Sequence, residues 1–206
     1  MDLKKRKKFS FIYKNIRIYR FVMNILYSGK YYQRFKIIEN LFNPNNDKTI
    51  VELCFGDIIL AEWCKKNHIK WIGFDINEKF ISNAKTQGYD AHYKDLLELK
   101  DFPKSDVVII MGSLYQFNNI LEGLINNVMN STSKFIISEP INNLATNNGI
   151  IGYFARRSTK VGKGDEIFRY NYENLHHALK KSCEGKFVIS EIKRTTKDLI
   201  LLIKKK

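Results

Sequence analysis

The sequence predicts an α/β fold in which helices flank a mostly parallel sheet, and three observations support this prediction. Residues 49–66 read as a strand over 49–53, a turn that contains Gly56, and a helix. Apolar β-prone runs then alternate with stretches of helical spacing as far as residue 183, a pattern typical of crossovers between parallel strands. Two β runs at 187–192 and 199–203 follow and predict a closing hairpin.

Residues 1–47 are predicted to form a helical extension ahead of an α/β domain over residues 48–206. At 206 residues the chain is long enough for one hydrophobic core, so we expect a single structural domain overall. Helical spacing covers residues 9–27 and 31–42 of the extension. The apolar residues that fall on one face of the first helix are Phe21, Val22, Ile25 and Leu26.

The elements after the first strand follow from the same signals. Short apolar runs predict strands over 71–74, 91–93, 106–111 and 134–138. Helical spacing predicts helices over 58–66, 78–87, 120–130 and 172–183, the second of them between Asn77 as its cap and Gly88 as its end. A long polar connection joins the fifth strand to the last helix, and connections of such length are often functional.

Positive charge is concentrated in the N-terminal extension. Residues 1–40 hold eleven Lys and Arg against two acidic residues, a net +9 of the chain's +14. A basic arm of this kind favours an anionic partner. That partner could be a phosphorylated substrate, nucleic acid or, through an amphipathic helix, an anionic membrane surface.

Composition and cysteine spacing favour a cytoplasmic protein without a metal site. Hydrophobic residues make up 44% and charged residues 27% of the sequence, as in globular proteins. No apolar run approaches the ~20 residues that cross a bilayer. Cys54, Cys64 and Cys183 are odd in number and lack metal-ligand spacing, so we expect free thiols in a reducing compartment.

Small and acidic residues stand where the first two predicted strands end. Glu52 lies in the first strand, Gly56 follows it, and Asp75 ends the second strand nineteen positions later. Ligands of open α/β sheets bind outside the carboxyl ends of strands. A glycine turn lets the backbone approach a ligand, and an acid at the second strand can accept hydrogen bonds from ribose hydroxyls. These residues therefore predict a nucleoside-binding crevice.

The same segment resembles the cofactor region of class I S-adenosylmethionine-dependent methyltransferases. The first motif of that family reads hydrophobic, hydrophobic, acid, hydrophobic, and then Gly-x-Gly-x-Gly. Residues 50–53 (Ile-Val-Glu-Leu) fill the first four places and Gly56 the middle glycine, while Cys54 and Ile58 replace the outer two. The resemblance implies a Rossmann-like, doubly wound sheet of seven strands with one antiparallel C-terminal hairpin strand, and S-adenosyl-L-methionine as cofactor.

The resemblance also implies which residues hold the cofactor. Asp75 would bind the ribose and Asp95 the adenine amino group, with Ile76 and Leu96 against the adenine ring. The end of the fourth strand would lie beside the sulfonium. The full implied set of cofactor-binding residues is Glu52, Cys54, Gly56, Asp75, Ile76, Asp95, Leu96, Gly112 and Ser113.

Residues after the fourth and fifth strands are the candidates for contact with the methyl acceptor. An aromatic face beside the sulfonium can stabilise the cation, and the resemblance implies Tyr115 or Phe117 for this role, with Tyr115 also in contact with the acceptor. Arg156 and Arg157 lie in the long connection and suit an anionic group. A hydroxyl acceptor would also need a base within hydrogen-bond reach. The candidate bases are Tyr115, Glu139, His176 and His177.

The sequence therefore predicts a methyltransferase for a small-molecule or glycan-type acceptor, such as a phosphorylated or nucleotide-linked sugar. An RNA methyltransferase stays open, because the basic arm could engage phosphates. A catalytically degenerate binding module with the same fold also stays open, because Cys54 and Ile58 replace motif glycines. A nicotinamide-dependent oxidoreductase is disfavoured, since the turn lacks the glycines of a pyrophosphate cradle.

Overall fold

A computed structural model describes residues 15–98, 100–142 and 168–206. In these ranges seven strands form a single sheet. Six α-helices accompany them, together with two short 3₁₀ helices at Leu96–Glu98 and Leu114–Ile120. The strands are β1 (Thr49–Leu53), β2 (Lys70–Asp75), β3 (Asp90–Tyr93), β4 (Val107–Met111), β5 (Lys134–Pro140), β6 (Phe187–Arg194) and β7 (Asp198–Lys205). The helices are α1 (Ile16–Leu26), α2 (Tyr31–Glu39), α3 (Ile59–Lys66), α4 (Glu78–Thr86), α5 (Leu121–Ser131) and α6 (Tyr172–Cys183).

The strand order in the sheet is β3-β2-β1-β4-β5-β7-β6. The pairs from β3 to β5 are parallel, whereas β7 runs antiparallel to both β5 and β6. This confirms the predicted doubly wound, mostly parallel sheet with one antiparallel strand from the C-terminal hairpin. The chain reverses its direction of travel across the sheet between β1 and β4, and such a switch point opens a crevice at the carboxyl ends of the strands.

The sheet buries apolar side chains on both faces, which explains why β4 is apolar at every position. On one face, α5 and α6 pack over a cluster that includes Val108 and Ile137. On the other face, helices α2, α3 and α4 cover a cluster that includes Ile50, Ile109 and Ile136. The three layers hold the strand ends in fixed positions, which is what a binding site at those ends requires.

The N-terminal helices belong to the same core as the sheet. Tyr31, Phe35 and Ile38 of α2 are buried in the cluster that β1 and β4 line. The division at residue 47 into an extension and a domain stays a prediction. None of the helices in the described ranges combines the length and the apolar character that crossing a bilayer demands.

Helix α1 packs through only part of the apolar face that its spacing defines, with Val22 half-buried and Leu26 packed against the buried cluster. The side chains of Phe21 and Ile25 are 68% and 57% exposed. The guanidinium of Arg20 instead pairs with the buried carboxylate of Asp57, with donor–acceptor distances of 2.7 to 3.1 Å. Helical spacing groups residues on a face but does not say which face turns inward. Here the Arg20 pair sets the rotation of the helix.

Candidate functional site

A cavity lies at the carboxyl ends of the parallel strands, with α1 and α2 on its other side. It is lined by residues at or just beyond the carboxyl ends of β1, β2, β3 and β4. These residues are Cys54, Gly56, Asp75, Ile76, Asn77, Lys94, Asp95, Leu96, Leu97, Gly112 and Ser113. Eight of the nine residues predicted to bind the cofactor thus lie together around one cavity.

The turn after β1 keeps the backbone geometry of a glycine-rich loop although it has lost two of the motif glycines. Gly56 has a positive φ of 56°, and a Cβ at this position would lie 2.8 Å from the hydroxyl of Tyr19. Cys54 has a φ of 53°, in the left-handed region that glycine favours. Ile58 is buried in the core below the turn and does not line the cavity. The two replacements therefore leave the floor of the cavity open.

Asp75 joins the turn after β1 to the end of β2. Its Oδ2 accepts a hydrogen bond from the backbone N–H of Gly56 at 3.1 Å, and its Oδ1 accepts one from Asn77 at 2.8 Å. Burial raises the pKa of Asp75 to about 6, and the N–H donors oppose part of this rise. A carboxylate oxygen has capacity for a second hydrogen bond. Asp75 can therefore accept from two adjacent hydroxyls, as in a ribose.

Beyond β3 the cavity wall contains an acidic side chain together with aliphatic side chains. Asp95 lines the cavity, and its Oδ1 accepts a hydrogen bond from the backbone N–H of Leu97 at 3.2 Å. Ile76 and Leu96 line the same part of the wall. An acid flanked by aliphatic side chains suits a flat heterocycle that carries an amino group. The resemblance implies the adenine at this place, and that assignment stays a prediction.

Arg34 of α2 brings a buried cation to the end of β4. Its side chain is only 6% exposed and lines the cavity. A Cβ at Gly112 would lie 3.2 Å from its Nη1, so the glycine leaves room for the guanidinium. Its Nη1 donates to the hydroxyl of Tyr27, which donates in turn to Asp198 at 3.2 Å. Arg34 therefore brings a buried positive charge to the cavity wall. Its Nε is enclosed by protein and meets no acceptor among the described residues.

An aromatic ring and a second arginine form the wall nearest to the predicted acceptor position. Tyr115 and Arg169 both line the cavity, with the guanidinium carbon of Arg169 lying 3.9 Å from the centroid of the tyrosine ring. Burial raises the pKa of Tyr115 to about 12, which leaves its hydroxyl protonated near neutral pH. The wall can hold a polar or anionic group, but the tyrosine is poorly suited to removing a proton.

Glu139 supports this wall from behind and does not line the cavity. Its carboxylate accepts hydrogen bonds from the backbone N–H groups of Leu114 and Tyr115, at 3.0 and 3.2 Å. Burial raises the pKa of Glu139 to about 8, and these two donors oppose the rise. The position of Glu139 suits it to orienting Tyr115 rather than to contacting a substrate.

Two other candidates from the sequence lie away from the cavity. Glu52 is fully buried in β1, where its Oε2 accepts a hydrogen bond from the indole N–H of Trp71 at 2.8 Å. His176 lies on α6 with its Nε2 3.2 Å from the carboxylate of Glu191. Neither residue lines the cavity. Arg156 and Arg157 lie outside the described residues, so their assignment to the acceptor stays a prediction.

Helices α1 and α2 contribute cavity residues that none of the sequence motifs predicted. Tyr19, Met23 and Arg34 line the cavity from the side opposite the sheet. For Arg34 a signal was present, because it interrupts the buried face of α2 that carries Tyr31 and Phe35. Charged residues are rarely buried without a partner or a function. A lone cation on an otherwise apolar helix face therefore indicates a polar cavity.

Strand order and cavity together define the class I SAM-dependent methyltransferase fold, and solved structures share it. The structure described as PigF with SAH matches with a TM-score of 0.67 and 12% identity, over 97% of this chain and 63% of that one. Human N-acetylserotonin methyltransferase in complex with SAM matches with a TM-score of 0.63 and 16% identity, over 94% and 57%. An rRNA methylase from Escherichia coli matches with a TM-score of 0.59 and 14% identity, over 95% and 70%.

The chain spans less than two thirds of the length of PigF and of the human enzyme. No protein-family model matches the sequence, and no curated protein matches it either. At these sequence identities the similarity establishes the fold but not the chemistry.

Proposed function

We propose that this protein transfers a methyl group from S-adenosyl-L-methionine to a small-molecule or glycan-type acceptor. The observation that carries the proposal is the cavity at the switch point, where Asp75 bridges the turn at Gly56 and the end of β2. That carboxylate is buried, partly satisfied by backbone donors and open to two further hydrogen bonds. A ribose presents two adjacent hydroxyls and matches this acceptor.

The other cavity residues fit the remaining parts of the cofactor. Asp95, with Ile76 and Leu96, suits the adenine. The buried guanidinium of Arg34 lines the cavity, and its positive charge suits the carboxylate of the methionine moiety. Cys54, Gly56 and Gly112, all with left-handed backbone, form the floor together with Ser113, and the side chains of Tyr19 and Arg34 lie against the two glycines. When bound, the cofactor supplies an electrophilic methyl group on a sulfonium.

The protein's own contribution is to bind, orient and exclude water. Tyr19 and Met23 of α1 cover the cavity from above and so limit access of water to it. Tyr115 presents its ring and a protonated hydroxyl to the acceptor, while Glu139 holds the backbone of Tyr115 in place. Methyl transfer needs mainly this alignment, because the methyl group is already activated. We therefore assign Tyr115 to acceptor positioning, with Glu139 as its support.

Cations on the acceptor side favour an anionic acceptor, such as a phosphorylated or nucleotide-linked sugar. Arg169 and Lys197 line this part of the cavity. Guanidinium and ammonium groups bind phosphate and carboxylate through charge-assisted hydrogen bonds. An RNA acceptor is the second candidate, and the net charge of +14 favours it. The rRNA methylase among the similar structures adds support for that candidate.

Methyl-labelled S-adenosyl-L-methionine tests the proposal when it is offered with sugar phosphates, nucleotide-linked sugars, neutral glycans and short RNA. We expect label in an anionic sugar, and we expect Lys197→Met to reduce the rate. Lys70→Met is the matched control, because Lys70 is exposed at the opposite end of the strands, where β2 begins. Label in RNA alone would favour the second candidate. Cofactor binding without transfer to any acceptor would indicate a binding module.

A further inference from the structure

The outer face of α1 carries an exposed row of apolar side chains. Ile18, Phe21 and Ile25 are 41%, 68% and 57% exposed, respectively. Their spacing of three and four residues places them side by side along the helix. An amphipathic surface helix normally turns such residues toward the core and polar residues toward water. Helix α1 instead leaves these three apolar side chains exposed to water.

The rotation of α1 is determined by contacts on its inner face, so the exposed row does not reflect a loosely placed helix. Tyr19 and Met23 line the cavity, and Arg20 is held by the buried carboxylate of Asp57. Turning the apolar row inward would break this ion pair and leave the carboxylate buried alone, which is costly. The apolar row is therefore a stable feature of the surface.

Basic residues precede and follow this apolar row in the sequence. Arg17 is exposed on α1 and Lys30 lies just beyond the helix. The fourteen residues that precede the described chain contain six Lys and Arg against one acidic residue. A partner for this surface must accept aliphatic side chains and supply negative charge. A bilayer with anionic headgroups offers both.

Two other partners fit the same surface less well. Single-stranded RNA binds through aromatic side chains on which bases stack, whereas two of the three residues in the row, Ile18 and Ile25, are aliphatic. A second copy of the chain would pair like surfaces about a two-fold axis. That arrangement would pair two surfaces that each carry the exposed cations Arg17 and Lys30, and like charges across an interface are unfavourable.

We propose that α1 docks on an anionic membrane surface, with Ile18, Phe21 and Ile25 inserted below the headgroups and the neighbouring basic residues at the headgroup level. The inner face of the same helix covers the cavity, so docking would place the cavity next to the bilayer. The proposal concerns where the protein acts and does not depend on its being a methyltransferase.

Flotation with phosphatidylcholine vesicles, prepared with and without phosphatidylserine, tests this proposal on the full chain. We expect binding to the vesicles that contain phosphatidylserine and loss of that binding at high salt. The double variant Phe21→Ser/Ile25→Ser should bind about tenfold more weakly or worse, because two apolar side chains no longer enter the bilayer. Both residues are exposed, and an unchanged circular dichroism spectrum would show that the variant is folded.

Val188→Ser is the matched control, because Val188 is a 46% exposed aliphatic residue on the edge strand β6. It should bind vesicles as the wild type does. The proposal fails if the double variant binds anionic vesicles like the wild type, or if the wild type binds neither type of vesicle. It fails equally if the wild type is a dimer that the double variant converts to monomers, since the surface would then belong to a second copy. Loss of RNA binding in the double variant, with vesicle binding intact, would also overturn it.

Discussion

At the scale of single residues, Asp75 decides what the cavity can bind. Its two oxygens hold the turn at Gly56 and the start of α4 at Asn77 together. The carboxylate thus shapes the crevice and also serves as its main acceptor. Its position was predictable from sequence, because an acid that ends the second strand faces the switch point. The geometry of Cys54 was not predictable, since a residue type does not reveal a positive φ.

Asp75→Asn should weaken binding of S-adenosyl-L-methionine by about tenfold to a hundredfold. The amide has one acceptor oxygen in place of two, and its NH₂ group would face a backbone N–H that now binds the carboxylate. A buried donor left unpaired in this way costs about 1–3 kcal/mol. Titration calorimetry measures the change. Asp90→Asn is the control, because Asp90 is an exposed acid at the start of β3. This variant should bind S-adenosyl-L-methionine with the affinity of the wild type. Equal affinities for all three proteins would place the cofactor elsewhere.

The affinity for the cofactor should depend on pH through the same group. Burial raises the pKa of Asp75 to about 6, and only the ionised form accepts hydrogen bonds from two hydroxyls. Affinity should therefore be constant above this pKa and fall by up to about tenfold for each pH unit below it. Calorimetry across this range measures the profile. Asp75→Asn should lose the inflection near pH 6, and a wild-type profile without one would contradict the assigned role.

At the scale of secondary-structure elements, sequence patterns located most of the framework. The predicted strand over 49–53 and the predicted helix over 172–183 match β1 and α6 at both ends. Periodicity did not show which way individual side chains point. Glu52 turns toward Trp71 and away from the cavity, since alternate strand residues point to opposite faces of the sheet. Arg34 gave a signal as the lone cation on the apolar face of α2, but its place at the cavity follows only from how the helices assemble.

The ion pair between Arg20 and Asp57 helps to hold helix α1 over the cavity, and Arg20→Gln tests its contribution. The variant leaves the buried carboxylate of Asp57 without its cation, and should lower the free energy of unfolding by about 2 kcal/mol. It should also weaken cofactor binding, because α1 covers the cavity. Urea denaturation and calorimetry measure the two effects. Arg17→Gln, an exposed change on the same helix, should alter neither, and equal stability of the two variants would contradict the role of the pair.

At the scale of the whole molecule, the strand order explains why residues far apart in sequence form one site. The order β3-β2-β1-β4-β5-β7-β6 places the ends of β1, β2 and β4 side by side. Helices α1 and α2 then close the cavity from the other side. The order of predicted elements was sufficient to identify this fold. The chemistry of the acceptor was not, because it depends on side chains from several loops that no local pattern groups together.

The central claim is that the cavity at the strand ends holds S-adenosyl-L-methionine. A crystal structure of the protein grown with a saturating concentration of the demethylated cofactor, S-adenosylhomocysteine, tests it most directly. We expect the ribose hydroxyls within hydrogen-bond distance of Asp75, the adenine between Ile76 and Leu96, and the amino-acid carboxylate at Arg34. Electron density for the ligand at another place, or a cavity that stays empty at saturation, would contradict the claim.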